Sequence, residues 1–120
     1  MLRGDGLFES LLVADGEPQL LTEHLARMAR FATAMDLPLP PAGQWRRCLD
    51  AAVQAWTGGP EMAVRLIVTR GTLATGMTSY LLAEPVSPTA LAQRTDGCSA
   101  LTLERGLGRL SDRLRPTDRR

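Results

Sequence analysis

Residues 22–30 read TEHLARMAR, and this stretch predicts the helix around which the rest of the chain is arranged. Apolar side chains recur at helical spacing, at positions 25, 28, 29, 32 and 35, so one face of the helix is apolar. Thr22 is the expected N-cap, since its hydroxyl can accept a hydrogen bond from a free backbone N–H. Prolines at 38, 40 and 41 follow, and a residue before proline avoids the α conformation. The sequence therefore predicts a helix from about Thr22 to Met35.

Arg27 lies off this apolar face, and the pattern leaves two interpretations of it open. In the first, Arg27 forms a solvated ion pair with Glu23, one turn earlier in the same helix. In the second, its planar guanidinium holds an anion such as a phosphate, for which two parallel N–H donors are suited. Spacing alone favours the solvated pair, because most exposed charges are simply solvated.

The composition is that of one soluble globular domain. The chain has 120 residues, of which 44% are hydrophobic and 22% charged, and it is long enough to bury its own core. A net charge of +1 argues against bulk nucleic acid as a partner, and no apolar run is long enough to span a membrane. Cys48 and Cys98 stand far apart, so neither a metal site nor a disulfide framework is indicated. A reducing cytoplasm is the expected location.

Strands are expected on both sides of the first helix. Residues 7–14 alternate as a strand with apolar side chains on both faces, so we expect both faces to be covered. Asp15-Gly16 is a hairpin signal that leads to a short return strand over 17–21, which Pro18 places at a sheet edge. The remaining predicted elements are a helix over 42–56, strands over 62–70 and 78–83, and a weaker strand over 98–103.

This order of elements predicts an α+β fold, a mostly antiparallel sheet with two helices packed on one face. Within it, Arg65 stands in the middle of the apolar strand over 62–70, where a charge is costly unless it is paired. Residues 1–104 are expected to form the domain. Residues 105–120 contain six of the fourteen arginines and are expected to be a tail or an interdomain linker.

Three motifs, in order, resemble those of the class IV aminotransferases, the fold type IV pyridoxal-phosphate enzymes. Residues 4–9 (GDGLFE) resemble the GDG-[VL]-[FY]-E segment, residues 23–28 (EHLARM) are similar to the EH-x-x-R-[LM] helix, and residues 65–71 (RLIVTRG) resemble the strand that ends in TRG. The family includes branched-chain and D-amino-acid transaminases and 4-amino-4-deoxychorismate lyase, and the chain looks most like the lyase and its relatives. The resemblance implies that the chain is the small N-terminal domain of such an enzyme.

The resemblance also implies a cofactor, pyridoxal 5'-phosphate (PLP), and three site residues in the complete enzyme. In the family the arginine of EH-x-x-R binds the cofactor phosphate, and Arg27 stands at that position, so phosphate binding becomes the preferred interpretation. Phe8 stands where an aromatic residue lines the substrate pocket. Arg65 stands where some transaminases place an arginine near the substrate carboxylate, and a buried structural ion pair remains the alternative for it.

Two departures from the family pattern bear on the reaction. D-amino-acid transaminases carry Arg-x-His after TRG, whereas this chain reads Thr75-Gly76-Met77, so D-amino-acid specificity is not favoured. The catalytic lysine of the family would follow just past Arg120, and all fourteen basic residues of the chain are arginines. We therefore expect no catalytic residue here.

The expected function is that of a truncated small domain, inactive alone, whose complete enzyme acts on amino acids or aminodeoxychorismate. The alternative is a non-enzymatic module that associates with itself or with other proteins, because removal of a partner domain exposes apolar surface. A homo-oligomer is expected in either case.

Overall fold

The computed structural model describes residues 6–74 and 76–104, and it confirms the predicted α+β class. The chain divides into two compact units between Ser87 and Pro88. The first unit contains strands β1 (Gly6–Ala14), β2 (Glu17–Pro18), β3 (Glu61–Thr69) and β4 (Thr78–Glu84), with helices α1 (Leu21–Met35) and α2 (Ala42–Ala55). The second contains helix α3 (Pro88–Asp96).

The four strands form one antiparallel sheet in the order β2-β1-β3-β4. β1 and β3 pair along their whole length, from Gly6 opposite Thr69 to Ala14 opposite Glu61. Close approach explains the glycine at the start of β1, because a Cβ at Gly6 would lie 2.7 Å from the carbonyl oxygen of Val68. β4 then pairs with the other side of β3, with Leu81 opposite Leu66.

One face of the sheet is covered by the helices, and the apolar core lies between them. Strand alternation sends every second side chain to this face, and the helical stripes meet it. The stripe positions Met28 and Ala32 are buried as predicted, and Trp45 packs in the core, whereas Cys48 is exposed. The core residues are Leu11, Val13, Leu21, Met28, Ala32, Leu37, Trp45, Leu49, Met62, Val64, Leu66 and Val68.

The other face of the sheet is open in the described part of the chain, which corrects the expectation that both faces of β1 are covered. Phe8 is 60% exposed, and Tyr80 and Leu82 on β4 are 40% and 47% exposed. These side chains share one face, because the register sets Phe8 opposite Ile67 and Tyr80 opposite the same residue. Apolar residues on both faces of a strand therefore do not by themselves establish that both faces are buried.

Both ends of α1 depend on backbone geometry. Helix α1 begins at Leu21 and its N-cap is Leu20, with φ 57° and no side-chain cap, so the prediction of Thr22 as N-cap is wrong. At the other end, Asp36 takes φ 54°. There Arg70 donates hydrogen bonds to the carbonyl oxygens of Met35 and Asp36, at 2.9 and 3.2 Å. A cation at this end also complements the helix dipole.

The chain after β4 differs from the prediction. Residues 98–103 form no strand, and Leu101 and Leu103 are 84% and 75% exposed. An apolar alternation forms a strand only when another strand pairs with it, and the sheet of the described residues consists of β1 to β4 alone. Helix α3 was not predicted, although Pro88 at its first position is a typical helix start. The predicted tail over 105–120 lies outside the described residues.

No helix in the described ranges is both long enough and apolar enough to cross a membrane.

Candidate functional site

A buried carboxylate at Glu9 is the centre of the polar site. Glu9 follows Phe8 on β1, so its side chain leaves the opposite face of the sheet and alternates with the apolar Leu7 and Leu11. It is 5% exposed. An ionised carboxylate at such a depth is costly unless other groups compensate its charge.

Two side chains of α1 provide that compensation. Arg27 donates from Nε to Oε2 of Glu9 at 2.9 Å and from Nη2 to Oε1 at 2.8 Å, a two-point contact between two planar groups. His24 Nδ1 lies 2.8 Å from the same Oε1. Because an ionised carboxylate only accepts hydrogen bonds, Nδ1 is the donor. His24 and Arg27 are three residues apart, so they project from one side of the helix.

These contacts keep Glu9 ionised. The hydrogen bond from Arg27 lowers the pKa of Glu9 below its ordinary value, burial opposes that shift, and His24 adds to the lowering. In return, the carboxylate raises the pKa of Arg27. The site therefore carries one buried negative charge and one guanidinium positive charge at neutral pH.

The structure assigns Arg27 a different ion-pair partner from the one that helical spacing indicates. Glu23, one turn before Arg27, is exposed and makes no ion pair with it, whereas Glu9 from β1 does. Sequence reasoning did not single out Glu9 or His24 as site residues. The sequence did contain a signal for Glu9, because its carboxylate lies between Leu7 and Leu11 in an apolar alternation. A carboxylate on the buried side of a strand needs a cationic partner to compensate its charge.

Arg27 keeps N–H donors that Glu9 does not use. Its side chain is 51% exposed, and among the described residues its hydrogen bonds use only Nε and Nη2. A guanidinium has five N–H groups, so both hydrogens of Nη1 and one of Nη2 remain. One hydrogen of Nη1 and the remaining hydrogen of Nη2 point the same way along one edge of the plane and can hold two oxygens of an anion side by side. Glu9 fixes the direction in which this edge points.

Phe8 and Arg65 lie together on the open face of the sheet. The Arg65 guanidinium carbon is 5.4 Å from the centre of the Phe8 ring, a cation–π contact. The register places Ser10 opposite Arg65, so Phe8 and Arg65 are diagonal neighbours across β1 and β3. Arg65 is exposed, which makes the alternative of a buried structural ion pair wrong.

A cavity of about 290 Å³ adjoins Arg65. It is lined by Ser10, Leu11, Leu12, His24, Ala63, Val64, Arg65, Leu82 and Glu84. Of the predicted site residues, Arg65 lines it, whereas Phe8 and Arg27 do not. The structure thus brings Phe8 and Arg65 into contact. Arg27 binds Glu9, which follows Phe8 on β1.

An antiparallel sheet with two helices packed on one face matches the small domain of the class IV aminotransferase fold. The sequence model of the amino-transferase class IV family matches residues 6–107. The chain belongs to this family.

Named relatives agree with that assignment. The bifunctional aminodeoxychorismate lyase / D-amino acid transaminase of Mycobacterium tuberculosis is 44% identical in an alignment over 109 residues, which covers 88% of this chain and 38% of the relative. Solved structures of a hypothetical aminotransferase from M. tuberculosis, including a PLP-bound form, superpose with a TM-score of 0.77 at 44% identity over 88% of this chain and 38% of theirs. A fold IV transaminase from Curtobacterium pusillum gives a TM-score of 0.66 at 35% identity over 76% of this chain and 32% of its own. The chain thus spans about two-fifths of the length of the curated relative.

Proposed function

We propose that this chain is the small-domain part of a PLP-dependent class IV transaminase or aminodeoxychorismate lyase that acts on amino acids or aminodeoxychorismate. Family membership and the names of the relatives support the reaction class. The observation that carries the proposal is the exposed edge of Arg27, held in place by the bidentate contact with Glu9.

The chemistry of the Arg27 edge fits a phosphate group. Phosphate oxygens accept charge-assisted hydrogen bonds, and the two nitrogens Nη1 and Nη2 offer parallel donors with matching geometry. Glu9 accepts hydrogen bonds along the other edge of the guanidinium, from Nε and from one hydrogen of Nη2. A phosphate at the Nη1–Nη2 edge therefore does not compete with Glu9 for hydrogen-bond donors. When bound in the complete enzyme, PLP supplies an aldehyde for amines and a ring that withdraws electrons from the substrate.

The open face of the sheet fits the substrate. Arg65 can receive a carboxylate, which both amino acids and aminodeoxychorismate carry, and the Phe8 ring beneath its guanidinium limits the directions that Arg65 can take. Phe8 itself offers an exposed apolar wall. We therefore assign Phe8 and Arg65 to substrate binding and Arg27 to the cofactor phosphate.

The 120 residues contain no lysine, so they offer no side-chain amine that could bind the PLP aldehyde. We infer that these residues are inactive alone. The relative that is 44% identical is named both as a lyase and as a D-amino acid transaminase. The Thr75-Gly76-Met77 departure therefore does not exclude D-amino acids as substrates of the complete enzyme.

A three-variant comparison in a complete enzyme, with a large domain joined to this chain, tests the phosphate assignment. Arg27→Ala is expected to weaken PLP binding roughly ten- to a hundredfold, because it removes charge-assisted hydrogen bonds. Arg27→Lys is expected to recover only part of that loss, since an ammonium lacks the fork. Arg30→Ala, one turn further along the exposed side of α1, is the matched control.

PLP affinity measured by titration decides between the outcomes. Equal losses in Arg27→Ala and Arg30→Ala, or no loss in either, would show that Arg27 does not anchor the phosphate.

The chain alone offers a separate test of inactivity. Mixing it with PLP and reducing with borohydride should leave no stoichiometric label at an internal residue, which peptide mapping by mass spectrometry would check. A stoichiometric internal label would refute this inference without affecting the assignment of Arg27.

The exposed apolar side chains of the open face, Phe8, Tyr80 and Leu82, favour a second candidate, a module that associates with itself. Self-association does not exclude the enzymatic proposal, because a subunit can both form part of an active site and form an oligomer.

A further inference from the structure

We propose that the cavity beside Arg65 binds a small molecule that carries a carboxylate at one end and an ammonium group several bonds away. The carboxylate binds Arg65, and the ammonium group binds Glu84 at the end of β4. The site rests on the proposed function in one respect, since Arg65 is assigned there to a substrate carboxylate. Glu84 is the new specificity-determining residue, because it selects the far end of the ligand.

The strand register explains why a cavity forms at this place. Side chains of the open face stand in rows across β1, β3 and β4, and two adjacent rows line the cavity. Read from β1 to β4, the first row is Ser10, Arg65 and Leu82, and the second row is Leu12, Ala63 and Glu84. Ala63 has the smallest side chain of the two rows, so it forms the floor of a depression between larger neighbours. The volume of about 290 Å³ is near the lower end of the range for small-molecule pockets, roughly 300–1,000 Å³.

Two opposite charges line this cavity without pairing with each other. The Arg65 guanidinium lies over the ring of Phe8, which is one row away on the β1 side. Glu84 is one row away in the other direction, on β4. Among the residues that the structure describes, neither Arg65 nor Glu84 takes part in an ion pair. The contact with Phe8 thus directs Arg65 away from Glu84, and both charges remain available to a ligand.

The separation of the two charges indicates the length of the ligand. Diagonal neighbours on adjacent strands lie about 7–8 Å apart, and the contact with Phe8 draws the guanidinium further from Glu84. The α-carboxylate and α-ammonium groups of an amino acid are attached to the same carbon, so they are too close together to reach both residues. A short methylene chain between the two charges spans the cavity, and Leu12 and Leu82 provide apolar walls for it.

This geometry defines a substrate class for the complete enzyme. The α-amine of an amino acid substrate reacts with the PLP aldehyde, so it does not bind Glu84. The ammonium group at Glu84 then belongs to the side chain of the substrate. With its α-carboxylate at Arg65, an amino acid with a basic side chain satisfies both charged residues of the cavity.

NMR titration of the 120-residue chain at low ionic strength tests the site. The probes are 5-aminopentanoate, which carries both charged groups, and pentanoate, which carries only the carboxylate. Both probes should shift the resonances of Arg65 and Ala63. We expect 5-aminopentanoate to bind roughly two- to fivefold more tightly, which is the range for one exposed pair of opposite charges. Low ionic strength is needed because salt screens such pairs.

Three variants show which residues cause this preference. Glu84→Gln should bind the two probes equally, since it removes the charge that recognises the ammonium group and keeps the size of the side chain. Glu17→Gln, at the opposite edge of the sheet, makes the same change in net charge and should keep the preference. Ala63→Leu should lose binding of both probes, because the larger side chain fills the depression. Circular dichroism shows whether each variant remains folded.

The results that would overturn the proposal differ in what they mean for the proposed function. Absence of binding by both probes would also contradict the assignment of Arg65 to a carboxylate. Equal affinities for the two probes in the unaltered chain, or a preference that persists in Glu84→Gln, would exclude Glu84 and leave that assignment intact. The PLP titrations of the Arg27 variants test the phosphate assignment independently of either result.

Discussion

Phe8 and Glu9 are consecutive residues of β1, and their side chains lie on opposite faces of the sheet. Each face carries one arginine of the site, and the two arginines are held in different ways. On the helix-covered face, Arg27 is fixed by two hydrogen bonds to a buried carboxylate. On the open face, Arg65 stacks on an exposed ring at 5.4 Å. Hydrogen bonds between two planar groups fix an orientation, whereas a stacked guanidinium can slide over the ring. We expect Arg27 to present a fixed edge to its anion and Arg65 to adjust to its ligand.

The largest difference between the faces should appear in apolar truncations. Leu66→Ala, at a side chain with no exposed surface, is expected to lower the free energy of unfolding by about 2–5 kcal/mol. Phe8→Ala on the open face should cost about 1 kcal/mol or less, because Phe8 is already 60% exposed. Urea unfolding of both variants measures the difference. Equal losses would mean that the open face is covered in solution.

The next largest effect concerns the carboxylate. Glu9→Gln should lower the free energy of unfolding by about 1–3 kcal/mol, because a buried amide cannot accept all the hydrogen bonds that Arg27 and His24 donate. Glu23→Gln is the matched control, since Glu23 is the partner that helical spacing indicates for Arg27, and it should change stability only slightly. If Glu23→Gln were the more damaging of the two, the Glu9–Arg27 contact would not be the one that operates in solution.

Acidification should remove the same contribution gradually. The pKa of Glu9 is lower in the folded than in the unfolded chain, so the unfolded chain takes up this proton first as the pH falls. Stability from Glu9 is therefore fully present above the ordinary glutamate pKa of about 4.3 and is lost as the pH drops through the lowered folded value. Unfolding curves at a series of acidic pH values should show a weaker pH dependence in Glu9→Gln. Identical slopes in the two proteins would argue against a lowered pKa.

The smallest expected effect is the coupling between Phe8 and Arg65. A double-mutant cycle with Phe8→Ala and Arg65→Ala should give about 0.5–1 kcal/mol, the range for an exposed cation–π contact. The cycle is measured by urea unfolding at low protein concentration, so that association does not contribute. A coupling energy of zero would mean that the Arg65 guanidinium does not interact with the Phe8 ring in solution. The ring would then not restrict the orientation of the Arg65 side chain.

The local pattern of the chain predicted most of the elements. Helix α1 and helix α2 begin and end within a residue or so of the predicted positions, and the hairpin at Asp15-Gly16 has positive φ at both residues. These features depend on neighbours in sequence, so spacing and turn chemistry were sufficient. Helix α3 was missed because its apolar positions are few and none of its residues is buried.

The features of the site also fall into those that local sequence predicts and those that depend on packing. Local pattern was enough to predict that Arg27 lies on a helix, off its apolar face, and that Phe8 and Arg65 lie on strands. Three motifs in order were enough to indicate the family that the chain resembles. The pairing of Arg27 with Glu9 rather than Glu23, and the exposure of Arg65 over Phe8, became visible only in the packed fold. Both outcomes depend on which strand lies beside which helix or strand. Residues eighteen positions apart, such as Glu9 and Arg27, meet only after the sheet and helix have packed.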